Sequence, residues 1–184
     1  YGVDAMRFTL STMAAQARDV KLDLERVAGY RAFANKIWNA TRFVLMNVPE
    51  GTKPAPLDLD RASELSLSNR WILNKLDETI ETVTGALDSF RLDEASSAIY
   101  GFLWHTYCDW SIELAKPALR EGGAEAEATR SVLLHVLDQG MRLLHPLMPF
   151  ITEEIWTRLP LTERETESVM IASWPVPDAR RRDG

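Results

Sequence analysis

Apolar residues in this chain recur every three or four positions over long uninterrupted stretches, and that spacing is compatible with little other than packed helices. Trp71, Ile72, Leu76, Ile80, Val83, Leu87 and Phe90 form one such stripe, and Ile99, Phe102, Leu103, Tyr107, Trp110 and Leu114 form the next. Val132, Leu133, Val136, Leu137, Met141 and Leu144 form another. Strand-length runs do not alternate with these stripes, so βαβ units and a parallel sheet are excluded. The expected fold is an all-α, up-and-down helical bundle with a short extended segment near the C-terminus.

Caps and breakers divide the bundle. Val3, Met6, Leu10, Met13 and Ala17 give a first helix, and Val20, Leu22 and Leu24 alternate with charged residues in an extended link. Asp23 is the expected cap of a second helix that runs to about Asn47, before Pro49, Gly51, Pro54 and Pro56. Ser68 is the expected cap of the third helix and Asp93 of a fourth that stops around Pro117. A fifth helix follows Gly122-Gly123 and ends before Pro146, and Thr152 is the expected cap of a short sixth. The uncharged, β-branched run from Ser168 to Trp174 suits an extended strip, and Arg180 to Arg182 read as a mobile tail. These boundaries divide the chain into a leading helix (1–18), a helical bundle (19–160) and an extended segment with tail (161–184). The opening Tyr1-Gly-Val-Asp-Ala-Met has neither initiator Met nor signal core and reads as a cut within a longer protein.

With 184 residues and 46% hydrophobic composition, the chain can bury a sizeable core, and no uncharged run is long enough to span a bilayer. Cys108 is the single cysteine, which rules out an internal disulfide and fits a reducing cytoplasm. His105, His135 and His145 are scattered without metal-ligand spacing, and Asp109 with Trp110 or Glu153 with Glu154 point about 100° apart on a helix rather than at one atom. There is no phosphate-binding glycine loop and no nucleophile elbow, so neither a catalytic residue nor a metal site is expected. His105 and His145 are expected to be structural, the latter satisfying a helix-terminal carbonyl, and Trp71, Trp104, Trp110 and Trp156 are expected in the core.

The net charge of −6 opposes binding a polyanion over the whole surface, but the charge is unevenly spread. Between Lys21 and Met46 five cations face two acids, a local +3 that leaves −9 on the remainder. On a helical wheel Tyr30, Phe33, Ala34, Ile37, Thr41, Val44 and Val48 share one apolar arc. Phe43 falls well outside it, beside Asn39 and Lys36, with Arg42, Asn35 and Arg31 completing the polar side. An aromatic ring held among cations and amides suits the stacking of an unpaired base; its alternative is cover by a neighbouring helix.

Four segments in order resemble class I aminoacyl-tRNA synthetases, most closely the anticodon-binding domain of the valyl enzymes. They are Tyr1 to Leu10; Arg18 to Asp23 with Asn35 to Leu45; Phe102 to Trp104, Tyr107 to Trp110 and Glu113 to Pro117; and His145 to Trp156. The first and last are shared across the subclass, whereas the Asn-Lys-Ile-Trp-Asn-Ala-Thr-Arg-Phe stretch distinguishes the valyl type from the isoleucyl and leucyl types.

The resemblance implies a module that binds the anticodon loop and stem of valine tRNA, within a synthetase whose remaining domains use ATP and Mg to activate and transfer valine. It implies a stacking role for Phe43 and a polar contact for Lys36. Arg26 stands next to Glu25, where relatives can carry an arginine, so either Arg26 substitutes for that contact or the contact is absent; Arg18 and Lys21 are placed near the inner side of the tRNA. Asn39, Arg42 and Arg31 join the candidate surface by helical geometry alone. No membrane partner and no cofactor of this chain's own are expected. The competing readings are the equivalent isoleucyl or leucyl domain, or a helical protein-interaction module.

Overall fold

A computed structural model describes residues 2–14, 22, 24–162 and 164–182. Seven α-helices account for most of these residues: α1 (Val3–Thr12), α2 (Leu24–Met46), α3 (Leu67–Asp88), α4 (Leu92–Tyr100), α5 (Ile112–Glu121), α6 (Gly123–Leu144) and α7 (Pro149–Arg158). A π-helical stretch, Gly101–Ser111, joins α4 to α5 without a break. No strand occurs among the described residues. The expected Asp23 cap and the extended link around Asp19 lie outside them.

Apolar faces meet in one core built on Phe8, Phe33, Leu76, Leu103, Leu137 and Trp156. α3 packs on α4, on the π-helical stretch and on α6, and α1 packs on α2 and α4. At Gly140 α6 lies against the π-helical stretch so closely that a Cβ would come 3.0 Å from Leu103 Cδ2, and the leucine methyl would have to give by a few tenths of an ångström. Two polar side chains within this core are satisfied: Tyr107 Oη donates to the Leu133 carbonyl (3.1 Å), and Trp156 Nε1 donates to Asp138 Oδ1 (2.6 Å).

Several helix ends differ from expectation, each for a local reason. The N-terminus of α7 is capped from a distance: the Asp4 carboxylate accepts from Phe150 N (3.2 Å) and Ile151 N (2.7 Å), while Thr152 lies a turn inside and bonds the Met148 carbonyl. His145 accordingly meets the Thr152 hydroxyl (2.7 Å) instead of a carbonyl. Ser66, not Ser68, precedes α3, and Asp93 falls in the first turn of α4. Pro117 sits inside α5, which runs four residues beyond it to Glu121.

The α3–α4 turn closes by Arg91 N donating to the Ala86 carbonyl (2.7 Å) and Phe90 N to Leu87 (2.9 Å), the two bonds of a Schellman motif. Its left-handed position is occupied by Phe90 (φ 57°) in place of the usual glycine, and the ring is 91% exposed.

Beyond α7 the chain crosses the bundle as a strap. Ser168 and Ala172 are extended around one 3₁₀ turn, Val169–Ile171, and Trp174 Nε1 donates to Thr84 (3.0 Å). Arg180 to Arg182, expected to be mobile, are anchored. Arg181 is 5% exposed and pairs with the fully buried Asp77 (2.9 Å). Its guanidinium also donates to the Val176 carbonyl and lies 3.2 Å from His135 Nε2. The sequence carries no sign of this anchor, because the acid that attracts the tail lies 104 positions earlier.

Candidate nucleic-acid interface

The apolar arc of α2 is buried as its periodicity requires: Phe33, Ile37, Thr41 and Val44 face the core, and Arg26, Arg31, Asn35, Asn39 and Arg42 are exposed. Phe43 is half-buried and packs on the edge of the core, so it is neither free in water nor sealed inside. Lys116 Nζ stands 5.8 Å from its ring centroid and is paired with Glu113 (2.6 Å).

Lys36 is also held by a neighbour. Its ammonium lies 4.0 Å from the Trp104 ring centroid and forms an ion pair with Asp109. Asp109 Oδ2 faces His105 Nδ1 at 3.6 Å, beyond hydrogen-bond distance. Trp104 stacks on Tyr100 (5.4 Å between centroids, 18° between planes), and Tyr100 meets Tyr30 edge-on.

These contacts rise together along the two helical segments: Tyr30 with Tyr100, Phe33 with Trp104, Lys36 with Asp109, Phe43 with Lys116. The helix from Leu92 to Glu121 therefore runs alongside α2 in the same direction, and the two share one face.

The π-helical stretch makes that sharing possible. Residues five apart diverge by about 140° on an α-helix, whereas i→i+5 bonding brings them close to alignment. Trp104 and Asp109 are five apart and both reach Lys36. The same widening explains the burial pattern. Ile99, Leu103, Tyr107, Ser111 and Ala115 are buried at intervals of four, and Trp110, expected in the core at α-helical spacing, is 63% exposed. Trp156 is fully buried, while Trp71 and Trp104 are half-buried at the core's edge.

Of the sequence candidates, the structure groups Lys36, Asn39, Arg42 and Phe43 along one side of α2. Arg31 lines a separate apolar groove with Trp38, Val3, Phe150 and Ile151. Arg26 is on the first turn of α2, and Arg18 and Lys21 lie outside the described residues. Trp104, Asp109 and Lys116 were missed as site residues because each is supplied from a helix more than sixty positions downstream of its partner on α2. The only signal for them was the distinctive Tyr107 to Trp110 segment.

Burial pushes the Cys108 thiol up to about 12, which leaves it un-ionised at neutral pH. Among the described residues no three His, Cys, Asp or Glu side chains gather as metal ligands. No described helix is long and apolar enough to cross a membrane.

Comparison with known proteins gives a consistent picture. Residues 69–183 match the family described as the anticodon-binding domain of tRNA ligase. The valine–tRNA ligase of Laribacter hongkongensis (strain HLHK9) is 50% identical over 186 aligned positions, which cover all of this chain and 20% of that protein. That of Thermotoga maritima is 49% identical over 175, covering 95% of this chain and 19% of its own length. The chain thus spans about a fifth of the curated relatives it matches. Among solved structures, the LeuRS chain of the Agrobacterium radiobacter K84 agnB2 ternary complex with tRNA and LeuAMS shares the fold, with a TM-score of 0.66 over 97% of this chain and 20% of that one at 19% identity.

Proposed function

This chain belongs to the anticodon-binding domain family of the tRNA ligases, and from that premise we propose that it is the tRNA-recognition module of a valine–tRNA ligase. The reading is supported by identities near 50% to valine–tRNA ligases along essentially the whole chain. The observation that carries the mechanism is the mixed face of α2, where a half-buried Phe43 ring lies among Lys36, Asn39, Arg42 and the incoming Lys116. Phe43 receives an unpaired base of the anticodon loop, Lys36 and Asn39 bond to base or sugar atoms, and Arg42 and Arg26 meet phosphates. Arg18, Lys21 and Arg31 are secondary contacts toward the stem.

The whole protein is read as an ATP- and Mg-dependent ligase acting in the cytoplasm. This chain's part in the reaction is to position the tRNA, a reading supported by its match to the anticodon-binding domain family.

Phe43→Leu in the full-length synthetase tests the reading, because leucine keeps the apolar packing and removes the stacking face. Loss of one stacked base costs about 1–3 kcal/mol, so kcat/KM for valine tRNA falls roughly 5- to 150-fold. The melting temperature stays within a few degrees of the parent. Unchanged charging, or equal binding of valine and isoleucine tRNAs by the parent enzyme, refutes it.

A further inference from the structure

Asp109 is an acid in the middle of a surface read as binding a polyanion, and its position needs a reason. An ion pair for stability alone is a weak one: Asp109 is 43% exposed, and pairs at that exposure contribute little. Neighbouring groups suggest another purpose. Trp104 lies beneath the Lys36 ammonium at 4.0 Å, and Asp109 holds it from the side. The lysine is thereby fixed in place instead of sweeping the surface on its four-carbon stem.

The pair has no net charge, yet it retains hydrogen-bonding capacity. An ammonium has three N–H donors, of which Asp109 takes one; the carboxylate is acceptor-only, and its Oδ2 is out of hydrogen-bond range of His105. A neutral unit that presents a fixed donor next to a fixed acceptor matches the edge of an unpaired nucleobase, where donors and acceptors adjoin. A bare lysine would instead favour any phosphate, with the salt dependence of counterion release.

We propose that the Lys36–Asp109 pair, seated on Trp104, reads one base edge, and that Asp109 is a specificity-determining residue of the tRNA interface. This rests on the anticodon-binding reading above. Lys36 donates to a base acceptor and Asp109 accepts from the adjoining base N–H, while the carboxylate suppresses attraction to phosphate. The π-helical stretch is the structural cause, since it brings Asp109 and Trp104 to the same lysine.

The test measures binding of the full-length synthetase to valine tRNA and to the same tRNA with a substituted anticodon, each across a salt series. Asp109→Asn keeps the size of the side chain and frees the lysine charge. The expected result is tighter binding of the substituted tRNA, a discrimination ratio reduced about tenfold, and a slope of log K against log salt steeper by about 0.7–0.9 for one added phosphate contact. The double variant Lys36→Gln/Asp109→Asn restores net neutrality. It is expected to return the parent's salt slope without its discrimination.

A parental ratio in either variant overturns the proposal, as does an unchanged slope in Asp109→Asn. Phe43→Leu in the same assay separates the two readings. If it weakens tRNA binding while Asp109→Asn is silent, only the role of Asp109 falls; if both are silent, the anticodon-binding surface itself is misassigned.

Discussion

Replacing Arg181 with alanine is the most demanding test of the packing described above, because it removes a cation 2.9 Å from a carboxylate with no solvent exposure. Burial raises the Asp77 carboxyl above its usual range, and the Arg181 guanidinium is the largest of the opposing influences. Without that guanidinium Asp77 must either remain charged in the interior or take up a proton. Breaking a buried pair from one side costs about 3–5 kcal/mol. For a domain of this length each kcal/mol lowers the melting temperature by about 2–4 °C, so a fall of roughly 10 °C is expected at neutral pH.

The pH dependence distinguishes this mechanism from lost packing. A carboxyl whose pKa is raised in the folded state contributes stability below the unfolded value, near 3.8, and loses it as pH rises through the folded value. Arg181→Ala raises the folded value further, so its penalty is small near pH 4 and grows toward neutrality.

His135 acts in the same sense. Burial first, and Arg181 second, push it down to about 4, and removing the arginine eases its protonation in the folded state. Chemical denaturation of parent and variant at several pH values between 4 and 8 gives the comparison. A penalty below 1 kcal/mol at pH 7, or one independent of pH, refutes the anchored strap. Asp77→Asn combined with Arg181→Ala should remove the carboxyl part of the pH dependence.

Two smaller predictions concern helix ends. Asp4→Ala removes both bonds that cap α7 and is expected to cost about 1–2 kcal/mol, read as a lower denaturation midpoint with unchanged slope. Phe90→Gly relieves a left-handed non-glycine residue whose ring is 91% exposed, and is expected to stabilise the chain by about 1 kcal/mol in the same assay. Destabilisation would mean that the ring has packing the structure does not contain.

Much of the bundle was legible because burial imposes its period on any long helix. The arc of α2 from Phe33 to Val44 and the faces of α3 and α6 follow directly from that rule. What failed to read were features decided by residues far away in the chain. Thr152 is a plausible cap until Asp4 arrives from α1, and Arg180 to Arg182 look solvated until Asp77 and Glu81 are opposite them. Trp110 was misassigned because a wheel drawn at 100° per residue carries no information about π-helical turns.

The candidate site divides the same way. The placement of Lys36, Asn39 and Arg42 off the core is intrinsic to one helix, whereas the contacts of Lys36 with Trp104 and Asp109, and of Phe43 with Lys116, belong to a pairing of two.

The eleven residues from Gly101 to Ser111 make this surface unusually sensitive to helical pitch. Its i→i+5 turns hold more chain per turn than an α-helix does, so the side chains it presents depend on those wider turns being kept. At α-helical spacing Trp104 and Asp109 would diverge by about 140° and could not both reach Lys36, while the hydrophobic content stayed the same. In this bundle a change of helical pitch far from any loop is enough to take apart the face that two helices share.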